Sequence, residues 1–173
     1  MQELERSKLK ILICEANVRV LKRLESWVKA MGEEAFISDD AMHAYDIFEE
    51  ENPDILLVSQ DLNNMGAIEF IEKVKLKNSQ QAIILMLGND NSIFTRAIDL
   101  QVDKYLNMPV DATRLFSAVE GLAQEKIWHE EFKTQKRMLQ DYKDAIDLSF
   151  SVSRHDKDGK IIYVNDLFCI TTK

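Results

Sequence analysis

Apolar and polar positions alternate along this chain in two rhythms. Apolar runs, Leu9–Cys14 with Lys10 as its one polar member, Ile55–Val58 and Ala82–Leu87, are separated by longer stretches in which apolar residues return every three or four positions. Short continuous runs predict strands buried on both faces, and the three-to-four spacing predicts amphipathic helices. After the first run, Val20, Leu21, Leu24, Trp27, Val28 and Met31 mark a helix, with Asn17 as its N-cap and Gly32 as its stop. Ala35–Ile37 predicts a second strand. Asp39 or Asp40 caps a second helix carrying Ala44, Tyr45, Ile47 and Phe48, and Asn52-Pro53 ends it. Ile68, Phe70, Ile71 and Val74 mark a third helix. Gly88–Ser92 reads as a polar loop, followed by a fourth helix with Ile93, Phe94, Ala97, Ile98 and Leu100. Lys104–Leu106 is a short fifth strand before Pro109, and Asp111 caps a fifth helix with Leu115, Phe116, Val119 and Leu122 on its core side.

Five strands alternating with five helices predict an α/β fold with a five-stranded parallel sheet and helices on both faces. In such sheets the chemistry lies just beyond the carboxyl ends of the strands. The central run Pro53–Asp61 ends in Ser59 and Asp61, so these residues are the first candidates for a site.

After Leu122 the rhythm changes. Ala123–Asp147 holds no Gly or Pro, and Trp128, Phe132, Gln135, Leu139, Tyr142 and Ile146 follow at alternating steps of four and three. That is a heptad seam on an extended C-terminal helix, either folded back on its own domain or paired in a parallel dimeric coiled coil. Phe150–Arg154 then alternates like a strand, Asp156–Gly159 is a turn, and Lys160–Val164 is a second strand with Asn165 able to cap a short helix. A lone hairpin is not independently stable, so this tail is expected to be a fragment of a second domain. The expected organisation is a domain over 1–122, a helical linker over 123–147 and a partial domain over 148–173.

Composition narrows the classes. Thirty acidic against 22 basic residues give a net charge of −8, and no basic patch suggests nucleic acid. No run approaches the ~20 apolar residues that span a bilayer, and the charged N-terminus lacks a signal core. Cys14 and Cys169 stand far apart, one of them inside an apolar run, which suits reduced thiols in a cytoplasmic protein. Three scattered histidines and two cysteines make no zinc pattern. The Asp156/Asp158 pair reads as part of a turn rather than a calcium loop.

Four stretches together resemble the response-regulator receiver family: ILICEAN (Ile11–Asn17), NPDILLVS (Asn52–Ser59), MGAIEFI (Met65–Ile71) and VDKYLNMP (Val102–Pro109). The resemblance implies a flavodoxin-like (βα)5 fold. It also implies five working groups: two acids after the first strand that help hold Mg²⁺, an aspartate nucleophile ending the third, a Ser or Thr ending the fourth and a Lys before Pro after the fifth. Phosphoryl transfer needs the metal and the cation because negative charge develops on the transferred group. Glu15 keeps the first acid, but Ala16 replaces the second and Ser59 stands at the acceptor position. Met86 or Leu87 replaces the Ser/Thr, and Met108 replaces the lysine, while Tyr105 keeps the family's switch aromatic. A serine without a base or metal is a poor nucleophile. The expectation is a pseudo-receiver, with no catalytic residue and no cofactor of its own. The alternative acceptor is Asp61, with Mg²⁺ at Glu15 and Asp61.

The tail His155–Thr171 resembles the first hairpin and helix of a PAS domain, without the part that holds a ligand. Together the resemblances imply a cytoplasmic two-component signalling module acting as a homodimer, with a histidine kinase or another signalling protein as partner. The implied dimer or partner surface is the face of the fourth helix, fifth strand and fifth helix, with exposed apolar residues such as Ile93 or Phe94. A flavodoxin-like cofactor binder is disfavoured, because Cys14–Asn17 offers an acid, not a Gly-rich loop, to an anion.

Overall fold

The computed structural model describes residues 8–88 and 93–171. The residues expected to form the loop after the fourth strand, 89–92, lie outside the described set. The elements run β1 (Lys10–Cys14), α1 (Val18–Ala30), β2 (Glu34–Ser38), α2 (Ala41–Glu51), β3 (Ile55–Ser59), α3 (Ala67–Lys77), β4 (Ala82–Leu87), α4 (Phe94–Asp99), β5 (Lys104–Asn107), α5 (Ala112–Ser149), β6 (Ser153–His155), β7 (Ile161–Val164) and α6 (Asp166–Thr171). The chain divides into two compact units, Met1–Gln124 and Glu125–Lys173.

In the first unit the strands form one parallel sheet in the order β2-β1-β3-β4-β5. Alternation along each central strand sends side chains into two cores. Leu12, Leu56, Val58, Ile83 and Leu85 face α2, α3 and α4, where Phe48, Phe70 and Val74 meet them. Ile11, Ile13, Leu57, Ile84 and Met86 face α1 and α5, meeting Leu24, Val28, Leu115 and Val119. Both faces are covered, which is why these strands read as continuous apolar runs and not as alternating ones.

The helix ends follow local chemistry. Asn17 Oδ1 accepts the backbone N–H groups of Arg19 and Val20, and Asp40, of the two candidates, caps α2 through the N–H groups of Met42 and His43. Gly32 takes φ +83° one residue past the cap of α1, and Asn52 takes φ +47° to end α2 before Pro53.

α5 continues without a break to Ser149. The expected strand from Phe150 is corrected: the Phe150 N–H still donates to Ile146 O in the last helical turn, and β6 begins only at Ser153. Within the second unit β6 and β7 pair antiparallel across the Asp156–Gly159 turn, where Gly159 takes φ +81°. Asp156 Oδ1 accepts the N–H groups of Asp158 and Lys160, which commits it to the turn. Asn165 is the hub here: its Oδ1 accepts Val152 N–H and Phe168 N–H, and its Nδ2 donates to the carbonyls of Asp147 and Phe150. All six positions of the heptad seam are exposed, Trp128 at 72% and Leu139 at 70% among them. No helix among the described residues is long and apolar enough to cross a membrane.

Candidate functional site

The sheet order reverses between β1 and β3, so the crevice beyond their carboxyl ends is where such a fold places a ligand. A hollow of about 270 Å³ opens there, lined by Glu15, Ala16, Asn17, Val20, Ser59, Gln60, Asp61, Gly88 and Met108. Each is placed by an element end. Glu15 to Asn17 follow β1, Val20 sits in the first turn of α1, and Ser59 closes β3. Gln60 and Asp61 follow Ser59, Gly88 follows β4 and Met108 follows β5.

Glu15 is 4% exposed. Its backbone N–H donates to Ser38 O, and its Oε1 accepts the N–H of Asn17 at 2.8 Å. Its Oε2 is buried and has no hydrogen-bond partner among the described residues, a costly position for a carboxylate oxygen. Ser59 is 5% exposed and pairs in register with Met86 of β4. Gln60 latches the two strand ends together: its N–H donates to Met86 O, and its Oε1 accepts the N–H of Gly88 at 3.0 Å. Asp61 is exposed at a bend. No lysine, arginine or histidine is among the described lining residues; Val20 and the half-buried Met108 add apolar surface instead.

The structure brings Glu15, Ala16, Ser59, Asp61 and Met108 to one hollow. Met86 and Leu87 do not line it. Both are buried, Met86 in the core under α1 and α5, and Leu87 in the core under α2, α3 and α4. Tyr105 is half-buried and stacks edge-on against Phe94 at 5.0 Å between ring centroids. Burial, with Asp103 nearby, raises its phenol pKa. Phe94 and Ile98 are exposed on the surface of α4, whereas Ile93 is half-buried against the core, which corrects the expectation for that residue. The Cys14 thiol lies wholly buried at the end of β1, and burial pushes its pKa up, so it adds no nucleophile to the hollow.

Asn17, Val20, Gln60 and Gly88 were not among the candidates read from the sequence. Gly88 carried a usable signal, because it directly follows an apolar strand at the same edge. Asn17 announced itself only as a cap. A further feature is the tie between loops: Asn63 Nδ2 donates to Asp39 O at 2.8 Å, and Asn64 Nδ2 donates to Asp40 Oδ2. These bonds, with the Asp40–Asn63 bridge, fasten the β3–α3 loop to the start of α2.

The donors can be weighed for magnesium. Among the described residues no three His, Cys, Asp or Glu side chains converge. The hollow does hold two carboxylates, and Glu15 Oε2 is a hard oxygen without a partner. Mg²⁺ binds through one or two carboxylates with water completing its shell, so Glu15 and Asp61 fit as a minimal pair. Among the described residues the hollow supplies no cationic side chain beside them.

Comparison with known proteins places residues 11–120 under the model of the Response regulator receiver domain. The chain is 21% identical over 139 residues to the Regulator of RpoS of Escherichia coli (strain K12), covering 79% of this chain and 41% of that one. It is 25% identical over 114 residues to the transcriptional regulatory protein YclJ of Bacillus subtilis (strain 168), covering 66% and 50% respectively. The chain thus spans at most about half the length of these curated relatives. The crystal structure of a CheY-like receiver domain protein from Methanospirillum hungatei JF-1 superposes with a TM-score of 0.66 at 21% identity, over 69% of this chain and 98% of that one. A receiver domain protein from Clostridium thermocellum gives 0.65 at 20% identity, over 69% and 98%.

Proposed function

Because the chain belongs to the response-regulator receiver family, we propose that it serves two-component-type signalling as a pseudo-receiver, passing a signal through protein contacts without accepting a phosphoryl group. One observation carries this reading. The hollow where the family's chemistry takes place is lined by a buried serine, Ser59, together with Val20 and Met108, with no cationic side chain among its described residues. Among the described residues Ser59 has no histidine or lysine in the hollow to take its proton, which makes it a weak nucleophile. A phosphoryl group there would lack the positive charge that offsets its oxyanions.

On this reading residues 1–122 form the receiver-like domain, 123–147 the linker that pairs two copies, and 148–173 the opening of a PAS domain. The output is then set by dimer packing or linker geometry, and the signal enters through a bound protein such as a histidine kinase. Switching of this kind needs only a two-state element and a partner that prefers one of its states.

A second reading is favoured by the partnerless Glu15 Oε2 in the same hollow as Asp61. In it, Asp61 accepts the phosphoryl group and Glu15 and Asp61 hold magnesium, which would offset charge on the transferred group. Intact mass after incubation with acetyl phosphate and Mg²⁺, beside a phosphorylatable receiver as control, separates the two. An unchanged mass is expected. A phosphoryl adduct overturns the pseudo-receiver reading, and its loss in Asp61→Asn but not in Ser59→Ala would assign the acceptor.

A further inference from the structure

The exposed seam of α5 carries its own pairing instructions. Phe132, Leu139 and Ile146 occupy the a positions of the heptad, and Trp128, Gln135 and Tyr142 the d positions. All are exposed along an uninterrupted helix. The flanks are unequal. The e positions are His129, Lys136 and Lys143; the g positions are Glu131, Met138 and Ala145. Glu131 has no basic residue three or four places away along its helix, and Lys136 no acidic one, so neither can form the usual intrahelical pair. Neither side chain takes part in a hydrogen bond or ion pair among the described residues. They stand five residues apart, g to the following e, which is the spacing that faces across a parallel two-stranded coiled coil.

From this charge complementarity we infer that the seam is covered by the same helix of a second copy, parallel and in register, with Glu131 of each chain against Lys136 of the other. The inference rests on the linker pairing proposed above and specifies its geometry. An antiparallel pair would set e against e and bring Lys136 and Lys143 of one helix among the His129, Lys136 and Lys143 of the other. Gln135 fixes the register. In phase, its amide meets the amide of the other copy, and the two satisfy each other. A slip of one heptad sets it against Trp128 or Tyr142 at the apolar seam. A single polar core position specifying register is a known use of this device, at some cost in stability. Lys143 is engaged within its own chain, its Nζ lying 6.0 Å from the ring centre of Tyr163, so Glu131 and Lys136 carry the orientation.

The test uses the 173-residue chain with Cys169→Ser, leaving Cys14 buried. Sedimentation equilibrium first establishes whether the chain dimerises; a monomer at all concentrations sinks the proposed pairing itself. Given a dimer, Gln135→Cys and Tyr142→Cys, oxidised separately, should each form the interchain disulfide. An antiparallel pair can self-link at one position at most, because only a residue on the dyad meets itself. Capture at one site or neither therefore overturns the parallel register while leaving the dimer standing. Independently, Glu131→Lys or Lys136→Glu should each weaken dimerisation by roughly five- to tenfold, since two pairs per dimer become like-charged. The double reversal should restore it, and a double variant weaker than either single one counts against the inference.

Discussion

The two units of this chain treat apolar residues in opposite ways. In Met1–Gln124 the strands bury Leu12, Leu56, Ile84 and Leu85 completely, and helices cover both faces of the sheet. In Glu125–Lys173 the large apolar side chains Trp128, Phe132, Leu139, Phe150 and Ile170 are exposed, and Asn165 is the only residue buried among the described ones. The first unit is held by its own core, whereas the second is held by hydrogen bonds around one amide and leaves its apolar surface unspent. Polar chemistry runs the other way. The crevice of the first unit is lined by two carboxylates and by no cationic side chain among its described residues, while the helix of the second unit carries charges of both signs along its exposed length. The difference separates a unit that covers its own apolar residues from one that leaves them at its surface.

The largest expected effect tests the core side of that contrast. Leu56→Ala removes a fully buried side chain from β3 and should cost about 3–4 kcal/mol in urea unfolding followed by circular dichroism. Leu139→Ala, on the exposed seam, should change the stability of dilute protein by less than about 0.5 kcal/mol, while weakening association at high concentration. Equal losses for both in dilute protein would mean that Leu139 is packed inside its own chain, and the contrast would fail.

Next in size is the hub of the second unit. Asn165→Ala strips partners from the Val152 and Phe168 N–H groups and from the Asp147 and Phe150 carbonyls. Loss of a buried amide in this setting should cost about 2–3 kcal/mol, read as faster hydrogen exchange over residues 151–168. Exchange in β1, β3 and β4 should stay unchanged. Acceleration in both units would show that they unfold together.

These contrasts were unequally legible in the sequence. The sheet and its two cores could be read, because burial on both faces writes itself as unbroken apolar runs. The caps Asn17 and Asp40 could be read or narrowed to a pair, because capping is decided within three residues. The edge carrying Ser59 and Asp61 followed from the fold. The latch of Gln60 on Gly88 was invisible, since it joins residues 28 apart in sequence, as was the tie of Asn64 to Asp40 across 24. The strand expected at Phe150 failed for a local reason. The alternation does mark a strand, but the Phe150 N–H is still held by Ile146 O, so pairing with β7 starts only at Ser153. The family resemblance rested on motifs at four strand and helix ends, and the matched span 11–120 covers them all.

A smaller effect comes from the residue that caps α1 beside the hollow. Asn17→Ala frees the Arg19 and Val20 N–H groups and should cost about 1 kcal/mol in the same urea assay. The backbone N–H of Asn17 would still donate to Glu15 Oε1, so the crevice should keep its shape. A loss several times larger would mean that the side chain also holds the hollow together.

The smallest effect is a pH dependence confined to the first unit. Asp40 is held below the usual carboxylate range first by the backbone N–H of His43, then by the Asn64 amide and the Met42 N–H, with the charge of His43 adding to them and burial opposing. A carboxylate whose pKa is depressed on folding stabilises the native state above its unfolded pKa, about 3.9. That contribution fades as pH falls from there through the lower folded value. Asp40→Asn keeps an oxygen to cap α2 but sets its own amide against that of Asn64. Its deficit relative to the unaltered chain should therefore be largest at neutral pH and shrink below about pH 4. Asn64→Ala should show a weaker version of the same trend, since it removes one of the donors and leaves the cap. Chemical denaturation at a series of pH values reads both. A deficit that stays constant into acid would show that the tie between the β3–α3 loop and α2 owes nothing to the charge of Asp40, and that packing of Met65 and its neighbours holds that loop instead.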